Sequence, residues 1–447
     1  MPKFTQFFIF PANSFEQKEG WEIMNMGDKA IEIHTSQLEE KARAVRVLTC
    51  YASYVGAGFL PYLEGTLAAV LNNLMFFYNV EVRASSYKAI PHLLRVAVLS
   101  VKAGTATAPQ LLELFSRIVA KLATTMLVEP NVDVKIASCA AFRRCFALIQ
   151  HSCLTAEQLD KLASLFRTKL FTFVKQNNDG TDDDDGFYAV VCEDEDTKQK
   201  EAEYFTSLTD LICTIVKYHG DSFAPAYTQH LHQLFLSMVQ PQQEPATIAH
   251  ALTILAEITE CCPSLVSCNS AVYMEGFITY AESAADRSVK SAGLRGIEAA
   301  AKAFGEKFAQ YAQRALKVVC ANLGSLECAL SAMGSIIDAH PECVAPLQEG
   351  INSFLRLLPL GSDAAAARRT HHYLCSLVQK YPVQVLGENF EKAGAVLAIL
   401  GKVVNTPNLS ADDTQAVKTI VNALSSKVAP GSIPPEITAA LQNFMMN

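Results

Sequence analysis

A five-residue motif that recurs together with its surroundings constrains this chain more than any other feature. "NVEVR" occupies residues 79–83, "NVDVK" follows 52 residues later (131 minus 79) at 131–135, and "DRSVK" stands at 286–290. Four apolar residues follow each copy at the same distance from its last valine: Ile90, Leu93, Leu94 and Ala97; Phe142, Cys145, Phe146 and Ile149; Ile297, Ala300, Ala301 and Phe304. Because the spacing i, i+3, i+4, i+7 lies on one helix face, each copy predicts an amphipathic helix. A register kept three times indicates an internal repeat.

The motif also has the chemistry of a helix start. Each copy opens with a residue whose short side-chain oxygen can accept hydrogen bonds from the first helical amides: Asn79, Asn131 and Asp286. The last valine of each copy opens the apolar face. A cation near a helix N-terminus opposes the helix dipole. We therefore expect Arg83, Lys135 and Lys290 to reach the acidic or amide cap of a stacked neighbouring repeat.

The rest of the chain shows the same alternation of apolar helices and short breaks. Capping-box spacings at Ser36–Glu39 and Thr155–Gln158 mark two further helix starts. The pattern predicts about nine helix pairs, each too thin to bury its own apolar face. We therefore predict an all-α HEAT-repeat α-solenoid, an armadillo-like superhelix. The predicted order is an irregular lead segment at 1–35, HEAT pairs at 36–176, an acidic flexible insert at 177–199, and HEAT pairs at 200–447 that end in a C-terminal capping helix.

The acidic insert is the one segment that breaks the helical pattern. Its carboxylates are the only candidate partner-binding residues: Asp182, Asp183, Asp184, Asp185, Glu193, Asp194, Glu195 and Asp196. One interpretation is a solvated, flexible connector between stacked helices, as charge runs commonly are. The other is a segment that attracts basic segments of a partner protein electrostatically. The first interpretation is favoured.

Charge and hydropathy limit the partners of this chain. The formal net charge of -8 disfavours direct nucleic-acid binding through phosphates and favours basic partners. The best apolar run begins at Ala393 and is broken at Gly401 and Lys402, so no membrane insertion is expected. The Phe-rich N-terminus lacks the pattern of a signal peptide.

Motifs for catalysis or metal binding are missing from the sequence. It has no P-loop and no G-x-S-x-G, and Gly56-x-Gly58 lacks the third glycine of a dinucleotide loop. None of the 13 cysteines forms a C-x-x-C pair, and the one cluster is "ECCP" at 260–263 with Cys268 beyond it. Free thiols in a reducing compartment are the simplest interpretation. We expect no catalytic, cofactor or metal site, and no enzyme.

Three sequence blocks resemble a known family. They are "GWEIMNMGDKAIEIHTSQLEEKARAV" (20–45), "FLRLLPLGSD" (354–363) and "YLCSLVQKYPVQVLG" (373–387), in that order. From about residue 20 to its end the chain is similar to the C-terminal half of the importin-β (karyopherin-β) nuclear transport receptors, in the importin beta-three branch. The acidic insert lies where that branch also carries acidic sequence.

The resemblance implies a non-catalytic nuclear transport receptor segment. Its implied partners are cargo proteins with basic segments, Phe-Gly nucleoporins and the Ran GTPase. Its implied location is cytoplasm and nucleus, with transient residence at the nuclear pore. The principal Ran contact of the family lies upstream of the part that this chain resembles, so weak Ran binding is expected. The alternative is a HEAT-repeat scaffold that holds the subunits of a multiprotein complex, and Phe-Gly binding separates the two.

Overall fold

A computed structural model describes the backbone of residues 8–11, 21–26, 29–178, 195–429 and 433–446. Side chains are described for residues 37–174, 195–429 and 433–446. From Thr35 onward the described chain consists of α-helices joined by short turns and 3-10 segments.

A small antiparallel sheet precedes the helices. Its strands are β1 (Phe8–Pro11), β2 (Trp21–Met26) and β3 (Lys29–His34) in the order β1-β3-β2, so β3 is central. The prediction of an irregular segment at 1–35 is therefore wrong for these residues. In the sequence, apolar residues alternate with polar ones at positions 31 and 33, as is typical of a strand, but the three strands are short and separated by unequal gaps.

The first compact unit comprises residues 1–173 and 179–222. Its helices are α1 (Thr35–Val55), α2 (Leu60–Asn73), α3 (Val80–Lys102), α4 (Ala108–Val128), α5 (Val132–Ile149), α6 (Ala156–Asn178), whose last five residues belong to the second unit, and α7 (Glu195–His219). The first helices of successive pairs lie side by side, with α1 on α3, α3 on α5, and α5 on α7. Each pair thus covers the apolar face of the next, as stacked repeats require.

The second compact unit comprises residues 174–178 and 223–447. Its remaining helices are α8 (Ala224–His230), α9 (His232–Met238), α10 (Pro245–Cys261), α11 (Pro263–Ser283), α12 (Arg287–Ala303), α13 (Ala309–Asn322), α14 (Glu327–Ala339), α15 (Leu347–Arg356), α16 (Ala364–Lys380), α17 (Pro382–Leu386), α18 (Ala393–Val403), α19 (Thr414–Ser425) and α20 (Pro435–Met446). Here α10 packs on α12, α12 on α14, and α14 on α16.

Both units are built from HEAT-type helix pairs. In the described chain a first helix, namely α1, α3, α5, α7, α10, α12, α14, α16 or α19, is followed each time by one or two second helices. This gives nine pairs, in agreement with the predicted number. The prediction of a helical HEAT-repeat fold is confirmed for residues 35–178, 195–429 and 433–446.

The motif that opens the repeats caps helices as predicted. The side chain of Asn79 accepts from the Val82 amide at 2.9 Å, and that of Asn131 accepts from the Val134 amide at 3.1 Å. The Asp286 carboxylate accepts from the amides of the second and third residues of α12. Each cap satisfies amides that have no partner within the helix.

The apolar register is buried as predicted. In the second copy, Phe142, Cys145, Phe146 and Ile149 are at most 7% exposed. Phe146 on α5 meets Phe115 on α4 edge to face, with 5.3 Å between the ring centroids. The first helix of this pair therefore shares a core with the second helix of the preceding pair. The corresponding residues of the other two copies are also buried. The repeat alignment is therefore confirmed.

One helical stretch of the described chain, Gln37–Asn73, is long and apolar enough to cross a membrane, with a mean hydropathy of 1.2. The 3-10 turn Gly56–Phe59 divides it into α1 and α2. One such stretch is weak support for a membrane span, because a core helix of a globular protein passes the same test.

Candidate protein-binding surfaces

The structure describes only the two ends of the predicted acidic insert, and both ends are helical. Residues 177–178 belong to α6, and the helix α7 begins at Glu195. Glu195 and Asp196 therefore lie in the first turn of a helix, where carboxylates are favoured by the dipole. The other candidate residues, Asp182, Asp183, Asp184, Asp185, Glu193 and Asp194, lie outside the described residues.

Ion pairs tie the start of α7 to the start of α5. Lys200 Nζ lies 3.2 Å from Asp196 Oδ2 on its own helix and 3.6 Å from Asp133 Oδ2 on α5. Lys135 Nζ lies 3.8 Å from Glu201 Oε1 and 5.3 Å from the centre of the Tyr204 ring. Lys135 thus reaches the neighbouring repeat, but it contacts a carboxylate within α7 and not the predicted cap. The helix α7, which follows the insert, is therefore anchored on α5.

Arg83 forms a buried ion pair with Glu129, which ends the second helix of its own pair and lies two residues before the cap of the next repeat. Its Nε and Nη2 donate to the two carboxylate oxygens of Glu129, each at 2.9 Å, and both side chains are at most 2% exposed. Glu129 Oε1 also accepts from the Asn131 amide at 3.0 Å, directly before α5. Arg83 is therefore neutralised by the group that helps to cap the following helix. A bidentate pair of this kind is a strong, directional contact.

The third motif departs from the expectation for its last residue. The forward contact is made by Arg287, whose Nη2 donates to the Ser325 carbonyl at 2.9 Å just before α14, and not by Lys290. The contact between α14 and the start of α16 is made by a carboxylate instead of a cation. Glu327 accepts from the amides of residues 361, 362 and 363, the last at 2.7 Å, and Asp363 in turn caps α16. Burial opposes ionisation of Glu327, but these amides outweigh it and lower its pKa.

A second buried carboxylate joins helices that are two repeats apart. Glu298 on α12 has no exposed surface, and Arg369 Nε on α16 donates to its oxygens at 2.9 and 3.0 Å. The Tyr373 hydroxyl donates to Glu298 Oε1 at 3.2 Å. Arg295 Nη1 lies 3.9 Å from the same carboxylate. These contacts pass over α14, the helix that lies between α12 and α16 in the stack.

Small residues on α14 leave room for that contact. Ser335 Oγ donates to the Glu298 carbonyl at 2.9 Å, so α14 is held against α12. At Gly334 an added Cβ would lie 2.8 Å from the Phe354 ring and 3.0 Å from Tyr373. A larger side chain at 334 would therefore displace Tyr373, which binds Glu298.

Glu260 extends the same polar cluster onto α10. It pairs with Arg295, and Lys302 Nζ lies 3.2 Å from its Oε1. Burial by itself would raise the pKa of Glu260, but these two cations outweigh it and hold the pKa at about 2. The cluster is therefore a stable array of charges across α10, α12 and α16.

Exposed aromatic side chains gather on the first pair. Tyr51 and Tyr54 on α1 and Tyr62 on α2 are exposed, Tyr54 at 96%. Val47 and Val55 lie beside them on α1 and are also exposed. Clustered apolar exposure of this kind is typical of a protein interaction surface.

The cysteine cluster predicted to be metal-free contains free thiols. Cys261, Cys262 and Cys268 form no disulfide. Among the described residues no group of three or more His, Cys, Asp or Glu side chains could hold a metal ion. Cys192 lies outside the described residues.

Sequence reasoning missed the buried carboxylates. Glu298 directly follows Ile297 in the apolar register, and a carboxylate inside a buried stripe is a signal that a cation must lie nearby. Glu129 precedes the cap Asn131, where only stacking shows that Arg83 is its partner. The sequence contained the first signal, whereas the second required the structure.

Two sequence comparisons bear on the family. A sequence model of the Importin repeat 6 family matches residues 134–241, from within α5 to just beyond α9. Importin subunit beta-3 of Saccharomyces cerevisiae is 22% identical over 252 residues, which are 56% of this chain and 22% of that protein. Both matches show that part of this chain is similar to importin proteins.

Solved structures extend the similarity to almost the whole chain. Kap121p bound to RanGTP matches 99% of the chain with a TM-score of 0.76 and 16% identity, and the match covers 41% of Kap121p. Kap121p bound to Nup53p gives a TM-score of 0.74 at 16% identity, with 99% and 40% covered. At this identity the similarity shows the HEAT-repeat fold. The chain spans about two-fifths of these solved chains and about a fifth of the curated yeast relative.

Proposed function

We propose that this chain is a segment of a nuclear transport receptor that works by binding proteins and performs no chemistry. The observation that carries the proposal is the Importin repeat 6 match at residues 134–241, because this region contains the acidic insert and the helices that flank it. The HEAT-repeat likeness to Kap121p over 99% of the chain supports it. Such a receptor moves between cytoplasm and nucleus and resides briefly at the pore.

The proposed partners are basic cargo proteins, nucleoporins and, more weakly, Ran. Kap121p is bound to RanGTP, Nup53p, the SUMO protease Ulp1p, Ste12p and the extreme C-terminus of Cdc14p in solved structures. Stacked helix pairs offer long surfaces for such segments without a deep pocket. Weak Ran binding is proposed because the family's principal Ran contact lies upstream of the region this chain resembles. The direct test is a pull-down with Phe-Gly nucleoporin segments, with and without RanGTP.

A multiprotein scaffold is the competing function. It would use the same helix pairs but has no reason to bind Phe-Gly segments. Retention of the 447-residue chain on Phe-Gly beads supports transport. No retention, together with capture in a stable complex of fixed composition, contradicts it.

The acidic insert is proposed to speed encounter with basic cargo. Hydrated carboxylates each contribute little to stability, but together they raise the local concentration of cationic chains. Changing Asp182–Asp185 to Asn should slow association with a lysine-rich cargo peptide by about three- to tenfold at low salt, and the difference should shrink at high salt. Thermal stability should remain nearly unchanged. Stopped-flow association rates at two ionic strengths measure the effect.

A matched control separates the insert from net charge. Changing the exposed carboxylates Glu203, Glu282, Glu306 and Glu349 to Gln removes the same charge from helix surfaces. This variant should slow association much less. Equal rates for the two variants at low salt would show that the insert is only a solvated connector. A lower melting temperature of the insert variant would show that the segment is packed structure.

A further inference from the structure

A group of basic residues on α3 and α5 has no acidic partner among the described residues. Lys88, His92 and Arg95 follow the spacing i, i+4, i+7 and therefore lie on one face of α3. Arg144 on α5 reaches the same place, with Nη2 3.5 Å from His92 Nε2. Lys88, Arg95 and Arg144 are exposed, and none of them pairs with a carboxylate of the described residues. By contrast, the adjacent Arg143 pairs with Asp210.

A chain of hydrogen bonds holds Arg144 in place. Ser53 Oγ on α1 donates to the Thr49 carbonyl at 2.8 Å, so its oxygen accepts from His92 Nδ1 at 2.6 Å. With its proton on Nδ1, neutral His92 has a lone pair on Nε2, and this nitrogen accepts from Arg144 Nη2. Three successive first helices, α1, α3 and α5, thus contribute one residue each to a single chain.

The charge state of His92 is consistent with this chain. Burial, the Arg144 guanidinium and the Arg95 guanidinium all lower the pKa of His92. A neutral imidazole can orient Arg144, whereas an imidazolium would repel it. Arg144 uses one N–H on His92 and keeps its other donors for a ligand.

We propose that Arg144 and Arg95, with Lys88 beside them, bind side-chain oxyanions of an extended protein segment. Two guanidiniums fit carboxylate or phosphate oxygens with paired N–H donors, and pre-orientation by His92 lowers the entropic cost of that contact. The ligand is a short anionic segment rather than a long polyanion, because the net charge of -8 repels extended negative chains. These residues are not part of the acidic insert, for which ligands of opposite charge are proposed, and the inference does not depend on the transport role.

The register of the repeat supports the assignment. Arg144 stands at the position of His92 in the 52-residue register (144 minus 92). The equivalent residue in the third copy is Ala299, which is buried. A basic residue at this position therefore belongs to two adjacent repeats and is not a general property of the fold.

The test measures fluorescence anisotropy of short labelled peptides with the 447-residue chain. The peptides are a serine-rich segment, the same segment with glutamates and the same segment with phosphoserines. We expect the two anionic peptides to bind and the serine peptide not to bind. Their relative affinities decide whether carboxylate or phosphate is the source of the oxyanion. No binding of either anionic peptide overturns the proposal.

Variants assign the binding to this surface. Arg95→Gln with Arg144→Gln should weaken binding at least about tenfold, and Ser53→Ala should weaken it about two- to threefold by releasing the oriented chain. Arg167→Gln on α6, also exposed and without a described ion pair, is the control and should change affinity less than about twofold. Melting curves check that the variants fold. Equal losses in the double variant and the control, or tighter binding of a single-stranded oligonucleotide than of either peptide, would overturn the assignment.

Discussion

Among the described residues, the buried carboxylates Glu129 and Glu298 are each neutralised in a different way. Glu129, in the first unit, meets one cation, Arg83, in a bidentate pair at the junction with the next repeat. Glu298, in the second unit, meets Arg369 from two repeats away, Tyr373 and, more distantly, Arg295. One is a closed pair, and the other is a shared network.

The difference concerns how loss of a partner is tolerated. Removing one member of a closed pair leaves a charge buried without compensation, which is far more costly than the pair is stabilising. In the network, a remaining cation and hydroxyl still contact the carboxylate. The network also couples repeats beyond nearest neighbours, whereas a simple stack couples only adjacent ones.

The largest expected effect is loss of the closed pair. Arg83→Met should lower the free energy of unfolding by about 3–5 kcal/mol, because Glu129 remains buried and unpaired. Urea denaturation measures the change. The control is Arg46→Met, which breaks an exposed pair with Glu81 and should cost at most about 1 kcal/mol. Similar losses in the two variants would contradict the distinction.

Loss of Arg369 should cost less. Arg369→Met should destabilise by about 1.5–3 kcal/mol, since Glu298 keeps Tyr373 and Arg295 as neighbours. Arg356→Met at the exposed end of α15 is the control for charge removal. A double-mutant cycle with Glu298→Gln should give a non-zero coupling energy between α12 and α16. Additive losses would show that the repeats are coupled only through α14.

The close packing of α14 against Phe354 and Tyr373 can be tested by substituting Gly334. Gly334→Ala should destabilise by about 1–2 kcal/mol, because the new methyl group meets Phe354 and Tyr373. Gly276→Ala on α11 is the matched control, since a Cβ there meets nothing within 4 Å and alanine favours the helix. The control should stabilise by about 0.5–1 kcal/mol. Destabilisation of both by the same amount would argue against the contact over α14.

The smallest effect is a pH dependence in the second unit. A hydrogen bond from His372 Nδ1 to Asp413 Oδ1, at 2.6 Å, raises the pKa of His372 and outweighs the opposing effect of burial. Stability from this pair is therefore fully present below the unfolded pKa near 6.5 and is lost as the pH rises through the higher folded pKa. His372→Gln should lower stability by under about 1 kcal/mol near pH 6 and less at pH 8. A difference independent of pH would show that the imidazolium does not stabilise the fold.

The helices and their caps follow directly from local sequence. Asn79 and Asn131 cap the helices that the motif predicts, and Thr155 with Gln158 forms the expected capping box. These contacts join residues within one turn, so residue type and spacing suffice to predict them. Composition predicted an acidic insert at residues 177–199. Residues 177–178 belong to α6 and residues 195–199 to α7, so these two ends of the predicted insert are helical.

By itself the sequence determined the repeat: its period, its buried face and the start of each pair, because all three depend on residues close together along the chain. Only the tertiary structure decided which charges meet. Arg83 with Glu129, Glu298 with Arg369, and Ser53 with His92 and Arg144 are separated by tens of residues. Their pairing depends on the rotation and offset of one helix against the next, which local spacing does not specify. Stacking therefore sets the charged surfaces through which the protein can bind partners.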